Sequence, residues 1–423
     1  MKKLGLLALA LAIVAAAPNV KHLQLTNANL ESEFPSIVWN GTQLGTAWMD
    51  GRDGNQEIYF RTSDVETGFL GPEVRLTNSE TWDDNPELTW TGSEFAISWI
   101  HESKTKFDLM FQRLDASGKP KGPAKALIRQ QMLDKNTAIC WTGAGFGVVA
   151  SEFRGGPGQA DLTYRFLDES GNQQGPATDL ATEPGIKVPA AMLRSGSDFA
   201  VIYLNAATAT VHMLRINPFG NAYGPATTVN LPGAACGMPA AANNSTAMIV
   251  AWPQKAATGS QIIVTILGPG GEVLAVPSPV TAVGPSRPAV AAAASRDTFG
   301  VAWIEITDEG RTLFFQQLDL NGRPAAPPLR LSKPRPIKVM SNSLALTTNP
   351  VGYVINWVDL VPPMNTELIL SRIGFMTAPP EPTAPTLPPP GPSPAPGSTA
   401  PTPPAAPVPG PAPAPVPAPT PAP

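Results

Sequence analysis

The sequence contains only two cysteines, Cys140 and Cys236, and three histidines among 423 residues. Two cysteines cannot build the disulfide framework that stabilises small secreted domains. We expect both thiols to be free, because their places in an internal repeat should hold the two Cα atoms farther apart than the ~7 Å limit for a disulfide. Of the histidines, only His101 falls in a candidate binding loop.

Several functional signatures are also absent. The formal charge of -4 and the pI near 5.5 exclude the basic footprint of a nucleic-acid-binding domain. No G-x-S-x-G elbow, H-E-x-x-H helix or phosphate-binding loop occurs. We therefore predict no catalytic residue, no metal site and no cofactor.

The N-terminal residues, MKKLGLLALALAIVAAAP, place two lysines before an apolar run from Leu4 to Ala17. This pattern predicts a secretory signal peptide over residues 1–17 and an exported protein that is periplasmic, cell-surface or extracellular. An uncleaved anchor is the alternative, but the run is shorter than the ~20 residues of a membrane-spanning helix. No membrane insertion is expected after cleavage.

The C-terminal segment has a different composition. From Ala378 to Pro423 it holds 22 of the 50 prolines, a single charge at Glu381 and no aromatic residue. Such a segment cannot bury a hydrophobic core, so residues 377–423 are predicted to be a disordered, extended tail.

Between these ends the chain repeats a pattern seven times, about every fifty residues. One strand of each unit reads IYFRTSD, LMFQRLD, LTYRFLD, VHMLRIN, IIVTILG, LFFQQLD and LILSRIG. An upstream strand alternates large and small apolar residues and ends at Trp48, Trp99, Ala150, Tyr203, Trp252, Trp303 and Trp357. Short Asn-Gly and Thr-Gly turns and an Asp-x-x-Gly turn join the strands. Each unit is therefore predicted to be a four-stranded antiparallel meander.

One such sheet would expose two apolar faces. Seven sheets arranged radially bury these faces against one another, which predicts an all-β, seven-bladed β-propeller over residues 18–376. The last unit stops after its third strand, while HLQLTNANLESEFP, from His22, resembles RLTNSETWDDNP, from Arg75. The N-terminal strand should therefore complete the last blade.

This W-x-G…W…D-x-x-G…G-P pattern resembles secreted bacterial β-propeller repeat proteins, and RDGNQEIYF is similar to a blade of TolB-type propellers. The resemblance, which extends to sialidase-like propellers, holds at the level of the fold. The sequence lacks the Asp-box of sialidases, the paired glycines of kelch repeats and the GH…WD pair of WD40 repeats. The fold alone does not imply a function.

In propellers, the loops between strands two and three, and between successive blades, surround one mouth of the central channel. Here these loops are the irregular ones, which makes that channel face the predicted binding surface. WMDGRDGNQEIYF, from Trp48, is such a loop and is rich in acids. Its acids lack the D-x-D-x-D-G order of a calcium loop and do not recur at matched positions, so a hairpin tip is favoured over a cation site.

Trp82 is the one tryptophan outside the repeat positions, and it lies beside Asp83 and Asp84. An aromatic ring with flanking carboxylates suits stacking on a sugar and hydrogen bonding to it. Further candidate ligand-binding residues on the channel face are Asp50, Arg52, His101, Glu102, Arg154, Arg287, Glu305 and Asp359.

The sequence therefore favours a monomeric, non-enzymatic protein that binds a polysaccharide or a protein partner. A glycan-active enzyme of sialidase or glycosidase type is one alternative, and it would bring at least three ionisable residues from different blades together in the channel. A structural scaffold in a cell-envelope complex is another, and it would expose a largely apolar patch.

Overall fold

The computed structural model describes residues 19–376, apart from 104–105, 132, 155, 157, 325, 337–342 and 362–364. Within this part of the chain all regular structure is β-strand, in seven antiparallel sheets. The first strand of each sheet contacts the first strands of both neighbouring sheets, and the first sheet contacts the seventh. The protein is thus an all-β, seven-bladed β-propeller, as predicted. The predicted signal peptide and tail lie outside the described residues.

The strands follow the chain in order within each blade. Blade one comprises Ser32–Trp39, Leu44–Asp50, Glu57–Asp64 and an outer strand split into Phe69–Leu70 and Val74–Arg75. Blade two comprises Trp82–Trp90, Phe95–Ser103, Lys106–Leu114 and Lys125–Gln131. Blade three comprises Leu133–Trp141, Gly145–Glu152, Asp161–Asp168 and Thr178–Ala181. Blade four comprises Lys187–Ser195, Asp198–Asn205, Thr210–Ile216 and Thr227–Thr228.

The remaining blades follow the same order. Blade five comprises Ala240–Asn243, Met248–Ala256, Gly259–Leu267 and Val273–Pro279. Blade six comprises Val290–Ala294, Phe299–Thr307, Gly310–Leu318 and Leu329–Arg330. Blade seven comprises Leu344–Asn349, Gly352–Val361, Asn365–Gly374 and, as its outer strand, Val20–Gln24 from the N-terminus.

The hydrophobic core lies between adjacent blades, because each second strand is covered on both faces. This explains why large and small residues alternate in these strands. At Gly300 in blade six, an added Cβ would lie 2.5 Å from the Tyr353 ring of blade seven. A small residue on one blade therefore leaves the space that a large side chain of the next blade fills.

The predicted Asp-x-x-Gly turns also join neighbouring blades. Gly171 has a φ of +76°, and its N–H donates to the carbonyl of Asp168 at 2.8 Å. A Cβ at Gly171 would lie 2.3 Å from the Phe111 ring of blade two. Glycine is needed here both for the left-handed backbone and for the close approach.

The two ends of the described chain close the ring, as predicted. Val20–Gln24 pairs antiparallel with the third strand of blade seven, from Val20 opposite Ile373 to Gln24 opposite Ile369. Beyond the ladder, the Glu367 carboxylate accepts hydrogen bonds from the Thr26 hydroxyl at 2.5 Å and the Ala28 N–H at 2.9 Å. The ring is therefore closed by strand pairing and by the buried Glu367 carboxylate, which binds residues that follow the strand Val20–Gln24.

Both cysteines are free, which confirms the prediction; Cys140 is half-buried and Cys236 is buried. The described residues contain no helix of the length and apolar character that crossing a membrane requires.

Candidate functional site

The channel-face ends of the seven second strands carry a register that the sequence analysis missed. Two residues after the tryptophan position, every blade has a polar residue. These residues are Asp50, His101, Glu152, Asn205, Gln254, Glu305 and Asp359. The conclusion that the acids do not recur at matched positions was therefore wrong. That conclusion compared the acids within one loop. Across the blades, the same position of the second strand is always polar, but the type of polar residue differs from blade to blade.

The four acids of this register form ion pairs with arginines. The contacts are Asp50 with Arg52 at 2.6 Å, Glu152 with Arg165 at 2.9 Å and with Arg154 at 3.1 Å, Glu305 with Arg287 at 2.6 Å and Asp359 with Arg335 at 2.9 Å. Six of the predicted site residues are thus placed in separate pairs on blades one, three, six and seven. The charges within each pair neutralise each other, and each pair orders its own loop. The four pairs therefore do not converge on one ligand.

The WMDGRDGNQEIYF loop forms a hairpin tip, as the sequence favoured. The Asp50 carboxylate accepts hydrogen bonds from the Trp48 indole at 2.8 Å and from the Arg52 backbone and side chain. Asn55 donates to the carbonyls of Ser79 at 2.9 Å and Thr81 at 2.6 Å. The loop therefore fixes the connection that leads into blade two, immediately before Trp82.

Three ionisable residues from different blades do meet, but they are enclosed. Arg311 of blade six interacts electrostatically with Glu33 of blade one and Asp359 of blade seven. Burial nevertheless lowers the pKa of Arg311 to about 10. The adjoining cavity is about 10 Å³, close to the space of one water molecule. Over the described residues, no group of three or more His, Cys, Asp or Glu could hold a metal ion.

The other five predicted site residues lie on blade two. Its first strand begins at Trp82, which is 51% exposed. Trp82 lies opposite Glu102 and Asp83 lies opposite His101 in the strand pairing. Because successive side chains point to opposite faces of a sheet, Trp82, Asp84 and Glu102 share one face, and Asp83 and His101 share the other. Asp83 thus does not flank the ring in the way the sequence suggested.

On the Asp83 face, the carboxylate is fully engaged within the protein. It accepts hydrogen bonds from the Trp99 indole at 2.9 Å and the Ser79 hydroxyl at 2.9 Å, and its Oδ1 lies 3.0 Å from His101 Nδ1. Burial raises the pKa of Asp83, although these bonds favour its ionised form. This face anchors the strand and is not free for a ligand.

On the Trp82 face, Lys135 of blade three completes the arrangement. Its Nζ lies 2.7 Å from Asp84 Oδ2 and 3.1 Å from Glu102 Oε2. Burial alone would lower the pKa of Lys135, but the two carboxylates outweigh it and raise the pKa. We call Trp82, Asp84, Glu102 and Lys135 the Trp82 surface.

Lys135 was not predicted as a site residue. Its sequence signal is positional: Lys135 precedes Asn136 as Asp84 precedes Asn85 in the blade before. Matched positions on adjacent first strands lie side by side around the channel, so opposite charges there form a pair.

The central channel opens beside this surface and forms a cavity of about 460 Å³. Its wall is polar on blades two and three, where Asn85, Glu87 and Lys135 line it. The opposite wall consists mainly of alanine, proline and valine from blades four to six. Burial raises the pKa of Glu87 to about 7. A polar half and an apolar half thus face each other across one channel.

No protein-family model matches the chain, and no curated protein sequence is similar to it. Among solved structures, an acylaminoacyl peptidase from Pyrococcus horikoshii aligns with 81% of this chain and 52% of its own, at 9% identity and a TM-score of 0.48. A neuraminidase-like protein from A/bat/Guatemala/164/2009 aligns over 86% and 94%, at 7% identity and a TM-score of 0.47. The polysaccharide lyase Uly1 aligns over 84% and 91%, at 8% identity and a TM-score of 0.48.

The chain spans about half the length of the peptidase that it resembles. At such low identities the similarity concerns the fold alone. The activities in these names differ from one another and do not select a function for this chain.

Proposed function

We propose that this chain is an exported, non-enzymatic binding protein whose channel face binds a polysaccharide through the Trp82 surface. The observation that carries the proposal is the half-exposed Trp82 ring, which shares one sheet face with an ordered network of two carboxylates and one ammonium group. A flat aromatic ring stacks on the apolar face of a sugar, and polar groups fixed beside it bind the hydroxyls.

The network is ready to bind before a ligand arrives. Lys135 has three N–H donors, and Asp84 and Glu102 occupy two of them within the described residues. Upstream, Asn55 holds the connection to Trp82 in place. Preorganisation of this kind lowers the entropic cost of binding.

The charge of the Trp82 surface indicates the type of polysaccharide. Two carboxylates and one ammonium group leave a net negative charge, which would repel uronic or sialic acids. We therefore propose a neutral polysaccharide as the ligand.

The test is a glycan array probed with the full chain and with two variants. Wild type should bind neutral glycans in preference to acidic ones. Trp82→Ala should weaken this binding about tenfold, which corresponds to ~1.4 kcal/mol. Phe69→Ala is the matched control, because Phe69 is 46% exposed and begins the outer strand of blade one, just after the turn on the opposite face. Equal binding by Trp82→Ala and wild type, or no binding to any glycan, would contradict the proposal.

Export has its own test. The mature protein recovered from the cell envelope or medium should begin at residue 18 when its N-terminus is sequenced. Recovery of the intact N-terminus in the membrane fraction would instead indicate an anchor.

A scaffold role is the second candidate, and one feature favours it. The outer strand of blade five, Val273–Pro279, contains no charged residue. Its side chains Val273, Leu274 and Val276 are 54%, 54% and 69% exposed. A photo-crosslinking amino acid at position 276 should yield one defined adduct in cells if this edge contacts a scaffold partner, and it should yield none if the chain acts only as a glycan binder.

A further inference from the structure

The channel wall contains one residue that breaks the sevenfold repeat. In each blade, the first strand presents one residue opposite the residue that precedes the tryptophan position of the second strand. These seven residues are Ser36, Glu87, Ala138, Ala191, Ala240, Ala291 and Ala345. Six are serine or alanine, so the fold itself requires only a small side chain. Glu87 is the exception.

Glu87 has little within the protein to stabilise its charge. Among the residues that the structure describes, its one hydrogen bond comes from the Ser36 hydroxyl at 3.4 Å, which is long for a bond to a carboxylate. Lys135 lines the same channel, but it pairs with Asp84 and Glu102. Within the described residues Glu87 forms no ion pair. An uncompensated carboxylate in a channel wall attracts a cation or remains protonated.

The rest of the channel specifies what kind of cation would fit. Opposite Glu87 lie apolar side chains that include Pro239, Val290 and Ala292. A cavity of about 460 Å³ is within the range of small-molecule sites, which span ~300–1,000 Å³. A metal ion would need several oxygen ligands around it, and one carboxylate does not supply them. An ammonium group needs fewer partners, and an attached hydrocarbon chain would cover the apolar wall.

We propose that the central channel binds a small aliphatic primary amine, with its ammonium group at Glu87 and its hydrocarbon chain against the alanine and proline wall. Lys135 lines this channel and belongs to the Trp82 surface, but Glu87, where the ammonium group would bind, is not part of that surface. Glu87 lies five residues along the strand from Trp82, which is at most about 16 Å at ~3.3 Å per residue because the strand is irregular between Asp84 and Glu87. Binding at either site does not require the other.

The experiment is isothermal titration calorimetry of the full chain with n-hexylamine hydrochloride at pH 8, where the carboxyl group is ionised. The isosteric probes 1-hexanol and sodium hexanoate measure the contributions of apolar contact and of opposite charge. Hexylamine should bind at least tenfold more tightly than hexanol, and hexanoate should not bind. Hexylamine binding should also weaken below pH 7, as the carboxyl group gains a proton.

Two variants assign the effect to Glu87. Glu87→Ala should lose at least tenfold in hexylamine affinity, and it should fold because alanine occupies the same position in five other blades. Glu80→Ala is the matched control: Glu80 is an exposed acid in the connection just before blade two, and its loss should change affinity less than twofold. Trp82→Ala should leave amine binding unchanged. Equal affinity for hexanol, unchanged binding by Glu87→Ala, or no measurable binding of hexylamine would each overturn the proposal.

Discussion

Ionisation of Glu87 should destabilise the folded ring, and replacing this residue with alanine should remove that cost. Burial raises its pKa from the ordinary 4.5 to about 7 in the folded protein. One pKa unit corresponds to ~1.36 kcal/mol, so the shift corresponds to about 3 kcal/mol. The alanine that fills this position in other blades shows that the first strand needs no carboxylate there.

The direction in which stability changes with pH follows from proton binding to Glu87 in the folded and unfolded states. Below pH 4.5 the carboxyl group is protonated in both states and adds no pH dependence. Between pH 4.5 and about 7 the folded state holds the proton more strongly than the unfolded state, so stability falls as the pH rises. Above about pH 7 both states are ionised, and the full penalty remains.

The measurement is the free energy of unfolding in urea, followed by tryptophan fluorescence, for wild type and Glu87→Ala at several pH values from 5 to 8. The difference between the two proteins isolates Glu87 from all other titrating groups. Glu87→Ala should gain stability relative to wild type as the pH rises, by up to about 3 kcal/mol. Glu80→Ala should show no such trend. A difference that stays constant over this range would refute the reasoning, as would a loss of stability by Glu87→Ala that grows with pH.

Three further outcomes follow from the structure. Gly171→Ala should lower the free energy of unfolding by about 3 kcal/mol, whereas Gly175→Ala, which has the same φ of +76° but open space around it, should cost only about 1 kcal/mol. Deleting residues 19–28 should lower the thermal midpoint by several degrees, since it removes the strand pairing and the buried contacts that close the ring. Asn55→Ala should reduce glycan binding several-fold with little change in melting temperature, because it loosens the connection before Trp82.

The sequence predicted the blades and their closure because both follow from local patterns. Alternation of large and small residues requires a sheet covered on both faces, and a unit that ends one strand short requires a strand from elsewhere. The similarity between the segments at His22 and Arg75 identified that strand. These inferences used the alternation of residues along the strands and the positions of glycines in turns. They did not depend on the angle of rotation between neighbouring blades.

The candidate site was harder to predict because its partners lie on different blades. Asp84 and Lys135 are 51 residues apart in sequence, and their contact depends on the packing of two first strands. Alternation along a strand also separates neighbours in sequence: Asp83 and Asp84 point to opposite faces, so only one of them lies beside Trp82. A list of acids near an aromatic residue cannot distinguish these cases, whereas the cross-strand register can.

Departures from the repeat are therefore better indicators of function in this fold than the presence of reactive residue types. Most tryptophans and alanines occupy positions that all blades share, and packing explains them. Trp82 is the one tryptophan outside those positions, and Glu87 is the one ionisable residue in a ring of small side chains. Both lie on the first strand of blade two, and Glu87 lines the channel together with Lys135. Because six other blades show what the fold alone requires, the side chains that exceed this requirement are the reason why we propose blade two as the ligand-binding part of the ring.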